Sequence, residues 1–190
     1  MELSVMWSPW NQPGLEHLKL RHDENGVVAD SLSINMTEDG PIQVQYFIRC
    51  DPSWRIRLLK LELLDRPGKI LELESDGTGR WITAAGESLP DLDNCIDLDI
   101  SITPFTNTLP IRRLQLQPGQ KSEVEVVYVK LPELEIRPVR QHYTCLEINE
   151  EGGRYRYENI SSGFRDELEV DTYGLVLNYP DVFKRIWFEL

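Results

Sequence analysis

The chain has 190 residues, 41% hydrophobic and 27% charged, with 32 acids against 20 bases and a formal net charge of −12. That balance describes a globular domain rather than a disordered tail. It also speaks against nucleic-acid partners and anionic membrane surfaces, which both need clustered Lys and Arg.

In chain order, the N-terminal MELSVMWSPW has neither the basic nor the apolar region of a signal peptide. The widely spaced Cys50, Cys95 and Cys145 form no CxxC pair, so reduced thiols in a cytoplasmic protein are expected. Turn signals recur at Asn25-Gly26, Asp39-Gly40-Pro41, Arg66-Pro67-Gly68, Asp76-Gly77, Pro118-Gly119, Gly152-Gly153 and Ser162-Gly163. Between them run short segments of period-two alternation, the pattern of strands with one buried face. Ile42, Val44, Tyr46 and Ile48 alternate with polar neighbours.

Trp54, Ile56 and Leu58 then share a phase that Leu59, Leu61 and Leu63 abandon. A β-bulge near Leu58-Leu59 would restore one buried face; cover on both sides of the strand is the alternative. Ile96 to Ile102 alternates most cleanly, with Asp97 and Asp99 among the polar positions. A short helix fits Pro110 to Leu116, since proline is tolerated in a first turn. Val124, Val126 and Tyr128 alternate again. From Pro180, residues Val182, Phe183, Ile186, Trp187 and Leu190 recur at helical spacing, which predicts a terminal helix. No linker, repeat or apolar run of the ~20 residues that span a bilayer interrupts the chain. One domain over residues 1–190, built on an antiparallel sheet, is expected.

The run Gly79-Arg80-Trp81, Gly86, Leu89-Pro90 and Cys95-Ile96-Asp97-Leu98-Asp99, leading into Thr103-Pro104-Phe105-Thr106-Asn107-Thr108-Leu109-Pro110-Ile111-Arg112-Arg113-Leu114, resembles the signature of the bacterial putative glycolipid-binding family. Gly14-Leu15-Glu16, Asp51 with Trp54-Arg55, Gln141 with Tyr143, Tyr155 with Tyr157, Phe164, Asp171 and Tyr179-Pro180 agree with it. The resemblance implies a mainly β fold, a long antiparallel sheet curled as a half-barrel around a short central helix. That shape is similar to carriers that shield acyl chains. The family carries over no catalytic or ligand-contacting residues.

The residues themselves offer candidates. Asp97 and Asp99, two apart on a strand, project from one face roughly 7 Å apart. Such a pair can bind a metal, share a proton or hydrogen-bond sugar hydroxyls; it can equally be a polar outer face, or pair with Arg112 or Arg113. Arg112 and Arg113 beside Thr106 and Asn107 suit a phosphate or carboxylate headgroup with its hydroxyls, or a helix pinned to the sheet. Trp81 is a stacking surface for a sugar ring or a core residue. The sequence shows no GxSxG, HExxH, P-loop or GxGxxG motif, and His17, His22 and His142 lack metal-ligand spacing. No metal site or cofactor is expected.

The reading that follows is non-enzymatic binding of an amphiphile, a glycolipid or fatty-acyl compound, on the concave face. Its ligand set is Arg112, Arg113, Thr106, Asn107, Trp81, Asp97 and Asp99. A carboxylate hydrolase using Asp97 and Asp99, or an adaptor docking through Phe183, Trp187 and Leu190, is the alternative.

Overall fold

A computed structural model describes all residues, 1–190. The strands are β1 (Glu2–Pro9), β2 (Gly14–Asp23), β3 (Gly26–Thr37), β4 (Gly40–Cys50), β5 (Ile56–Leu63), β6 (Ile70–Ser75), β7 (Trp81–Thr83), β8 (Asp97–Ile100), β9 (Lys121–Lys130), β10 (Glu135–Asn149), β11 (Gly152–Asn159), β12 (Arg165–Asp171), β13 (Val176–Tyr179) and β14 (Phe183–Glu189). One helix, α1 (Thr108–Leu114), follows a 3-10 turn over Phe105–Asn107. The chain is mainly β, one large curled sheet that does not close into a barrel, with a short central helix.

Strand order is β7-β6-β5-β4-β3-β2-β1-β14-β13-β12-β11-β10-β9-β8. Two antiparallel meanders therefore run outward from a seam where β1 pairs with β14. All pairs are antiparallel except β8 with β9. This order has a topological consequence. After β7 the chain stands at one edge of the sheet and must reach the opposite edge to begin β8. The crossover between them, residues 84–96, buries Leu92 and Cys95, and the β8–β9 connection that carries α1 buries Phe105, Thr108 and Leu109. The concavity is thus filled by the protein's own chain.

Alternation produces the concave face. Leu18 and Leu20 of β2, Ile42, Val44, Tyr46 and Ile48 of β4, and Leu168 and Val170 of β12 are all buried, while their sequence neighbours are not. In β5 the register slips between Leu58, opposite Arg49, and Ile56, opposite Cys50. Arg57 is the extra residue. This bulge puts Ile56 and then Leu59, Leu61 and Leu63 on one buried face, as the phase break requires.

The helix expected from Pro180 is a strand. β14 is held on one side by β1 and on the other by β13. Its ladder to β1 shifts register so that Ile186 is unmatched between Arg185 and Trp187. A bulge moves the apolar positions out of period two, and Phe183, Ile186, Trp187 and Leu190 then fall at spacings that imitate a helix. The expected helix at Pro110–Leu116 begins two residues earlier, at Thr108, and ends on Gln115 in the left-handed region (φ 49°). No helix is long and apolar enough to cross a membrane.

Gly26 turns β2 into β3 with φ 128°, and a Cβ there would lie 2.2 Å from the Cys50 carbonyl oxygen. Gly26→Ala combines a strained backbone with a clash against backbone, so it should cost about 2 kcal/mol or more in chemical denaturation.

Candidate functional site

Four elements build a polar cluster inside the sheet. β8 lies at the sheet edge beside β9, with Asp97 opposite Val126 and Asp99 opposite Tyr128. The connection from β8 to β9 carries α1 back over it. Arg113 Nε donates to Asp97 Oδ1 at 3.0 Å and its Nη2 to Oδ2 at 2.6 Å, a bidentate fork on a fully buried carboxylate. Burial pushes the Asp97 carboxyl up, and the guanidinium pulls against that push. Gln141 of β10 donates to Asp99 Oδ2 at 2.6 Å. Burial raises the Asp99 carboxyl to about 6, opposed by its hydrogen bonds from Gln141 and Thr106.

Thr106 Oγ1 also accepts from the Ile100 amide. Asn107 accepts from the Tyr143 hydroxyl at 2.8 Å and donates to the Pro104 carbonyl. Tyr143 then packs edge-on against Tyr157 at 5.5 Å, and Tyr157 against Tyr179 at 6.4 Å. Arg113, Thr106, Asn107, Asp97 and Asp99 are thereby gathered into one region, where separate hydrogen-bonded pairs fasten the α1 segment to β8 and β10.

Trp81 stands apart from this cluster. It is buried, and its indole N–H donates to the Cys95 carbonyl at 2.7 Å, tying β7 to the crossover. The three cysteines are buried and unpaired. Desolvation raises each thiol, Cys95 to about 12, so none is poised as a nucleophile.

Arg112 points the other way. It lines an open cleft of about 410 Å³ between the α1 C-terminus and the β10–β11 and β12–β13 turns, with Ile111, Leu116, Ile148, Tyr155 and Thr172. Its guanidinium lies 5.3 Å from the Trp54 ring centre, and Nη1 reaches the Thr172 carbonyl at 3.4 Å. Its Nε is buried with no hydrogen-bond partner. A cation held over an aromatic face in the wall of an open cleft can anchor a polar ligand atom. The apolar residues beside it can take a hydrocarbon.

Sequence reasoning passed over a second polar group at the other end of the sheet. Glu16 is buried, and its Oε1 accepts from Ser31 Oγ at 2.8 Å, Tyr46 OH at 2.5 Å and Thr103 Oγ1 at 2.9 Å. Burial lifts the carboxyl to about 7 against those three hydrogen bonds. The signal was present in the phase. Glu16 is in step with the inward Leu18 and Leu20, and Ser31, Ser33 and Asn35 with the inward Val27 and Ala29. Four polar residues on buried positions of adjacent strands mark a built polar surface.

Comparison with known proteins places these features in context. The profile of a family described as putative glycolipid-binding matches residues 4–185. The chain is similar to the crystal structure of a DUF1089 family protein from Pseudomonas aeruginosa, with a TM-score of 0.78 and 39% identity over 93% of this chain and 95% of that one. No curated protein matches the chain.

Proposed function

The chain belongs to the putative glycolipid-binding family, and from that membership we propose that it binds an amphiphile, a glycolipid or fatty-acyl compound, without chemical conversion. The observation that carries this reading is the open cleft at Arg112, which joins a guanidinium to an apolar wall. The ligand's polar head meets Arg112, Gln115 and Thr172, and its first methylenes lie along Ile111, Leu116 and Ile148. In this reading the seat is the rim of the half-barrel, because α1 and the turn before it occupy the concavity. Arg113, Thr106, Asn107, Asp97 and Asp99 serve it indirectly by holding α1 in place, and Trp81 by holding the crossover.

Native mass spectrometry of the purified protein, with solvent extraction of whatever travels with it, tests the proposal. The probe for titration is dodecyl maltoside, below its micelle concentration. Arg112→Ala should weaken binding by roughly tenfold or more, the scale of a lost hydrogen bond to a charged group. Arg112→Lys should recover little of it, since an ammonium lacks the planar fork. A wild-type protein that stays free of both co-purified and added amphiphile would sink the reading.

The adaptor alternative has one observation of its own. On the convex face Trp187, Met6, His17 and Leu32 form a row across β14, β1, β2 and β3, with Trp187 and Leu32 exposed. Exposed aromatic and aliphatic groups in a row suit a protein contact. The hydrolase alternative gains nothing comparable, since Asp97 commits both carboxylate oxygens to Arg113.

A further inference from the structure

The convex side of the seam carries a second cleft, of about 360 Å³, lined by Glu2, Ser4, His17, Lys19, Trp187 and Glu189. Strand register sets its layout. Ser4 of β1 lies between Glu189 of β14 and Lys19 of β2 in one cross-strand row, and the neighbouring row places Trp187, Met6 and His17 side by side. Trp187 is 41% exposed. His17 meets it edge-on, with ring centres 6.4 Å apart and planes at 72°, so no ring lies flat on the indole. Ser4 Oγ and His17 Nε2 are 2.7 Å apart, which fixes both side chains against the sheet. Lys19 and Glu189 are exposed on either side of them.

An aromatic platform bordered by fixed donors and acceptors, all reachable from solvent, is a surface built for a ring that is apolar on one face and hydroxylated at its rim. We propose that this cleft binds a neutral sugar ring, stacked on Trp187 and hydrogen-bonded by Ser4, Lys19 and Glu189.

The mixture of groups selects that chemistry. Lys19 donates, Glu189 accepts, and the Ser4–His17 pair can do either, which suits a set of hydroxyls. Glu2 and Glu189 outnumber Lys19, so phosphate or a free carboxylate meets net repulsion. A quaternary ammonium would gain from the indole and the carboxylates, but Lys19 stands against it. Three paired strands hold the lining residues, and side chains on strands are placed more precisely than those on loops. The volume sits near the lower end of the roughly 300–1,000 Å³ of small-molecule clefts, which suits one or two rings. The cleft shares Trp187 and His17 with the adaptor row but not Leu32, and it shares no residue with the Arg112 cleft.

Heteronuclear NMR titration of the full chain with cellobiose, lactose and methyl α-D-mannopyranoside tests the proposal, each taken to about 50 mM so that a millimolar Kd is reached. Choline and inorganic phosphate are the charged controls. At least one sugar should saturably shift the Trp187 indole N–H, identified by its loss in Trp187→Phe. Trp187→Ala should weaken that sugar by about tenfold or more, and Trp187→Phe by less, since a ring face remains. Ser4→Ala should weaken it about fivefold, the scale of one neutral hydrogen bond. Leu32→Ala and Arg112→Ala should leave its affinity unchanged, which separates this site from the adaptor row and from the amphiphile cleft. Silence from all three sugars, undiminished affinity in Trp187→Ala, or a tighter response to choline or phosphate would overturn the assignment.

Discussion

Asp97→Ala is expected to destabilise the protein by about 3–5 kcal/mol in urea or guanidinium denaturation, the range for breaking one side of a buried ion pair. The reason lies in how α1 is held to β8. Asp97 is fully buried and Arg113 is 16% exposed, so removing the carboxylate strands a guanidinium where water barely reaches. The same change frees the C-terminal half of α1 from β8, because no other side-chain hydrogen bond holds Arg113. The double variant Asp97→Leu with Arg113→Met removes both charges and should recover much of the loss, since paired charges replaced by packed apolar groups are often neutral. A cost below about 1 kcal/mol for Asp97→Ala would place the pair with solvated surface bridges instead.

The second large effect is on pH dependence. Glu16 rises from an ordinary 4.5 to about 7 in the folded protein, and Asp99 from 3.8 to about 6. In both, the native state holds its proton to a higher pH than the unfolded chain does. Stability is therefore greatest below the unfolded pKa and falls as pH climbs through the folded one. Each pKa unit is worth ~1.4 kcal/mol, which gives about 3 kcal/mol for Glu16 between roughly pH 4 and pH 7. Asp76, Glu133 and Glu158 are shifted down by local hydrogen bonds and act with the opposite sign, but they are exposed and contribute little.

The comparison of wild type with Glu16→Gln isolates the effect. The substituted amide keeps an oxygen for Ser31, Tyr46 and Thr103 and has nothing to ionise. The variant's denaturation midpoint should lose the part of the slope that Glu16 supplies between about pH 4.5 and pH 7. Parallel wild-type and variant profiles across that window would mean that Glu16 titrates normally.

Much of this architecture was written in the period of the sequence. Strict alternation revealed the strands, and the phase break at Leu58 announced a bulge that the register places at Arg57. The same logic misled at the C-terminus, where a bulge at Ile186 gave β14 the spacing of a helix. A bulge is fixed by the partner strand, and local sequence does not show which partner a strand will have. The candidate site divides along a similar line. That Asp97, Arg113, Thr106 and Asn107 belong together was suggested by their closeness along the chain. That Arg112 faces a cleft while its neighbour faces a carboxylate depends on how α1 is rotated, which a seven-residue helix does not declare. Glu16 was not among the candidates because its importance comes from Ser31, Tyr46 and Thr103, up to 87 residues away in sequence.

The pairing of β1 with β14 also fixes a sequence of events during synthesis. Six strands of the first meander can zip onto β1 as soon as they leave the ribosome, but its other edge has to wait for β14. Through that interval β1 presents an open row of amides and carbonyls, a template for another nascent chain. Any chaperone that serves this fold has a defined target, the bare flank of β1, and a defined release signal, the arrival of Phe183 to Glu189. A circular permutant opened in the β9–β10 turn and joined from β14 to β1 would form the seam as a local hairpin, shortening that wait.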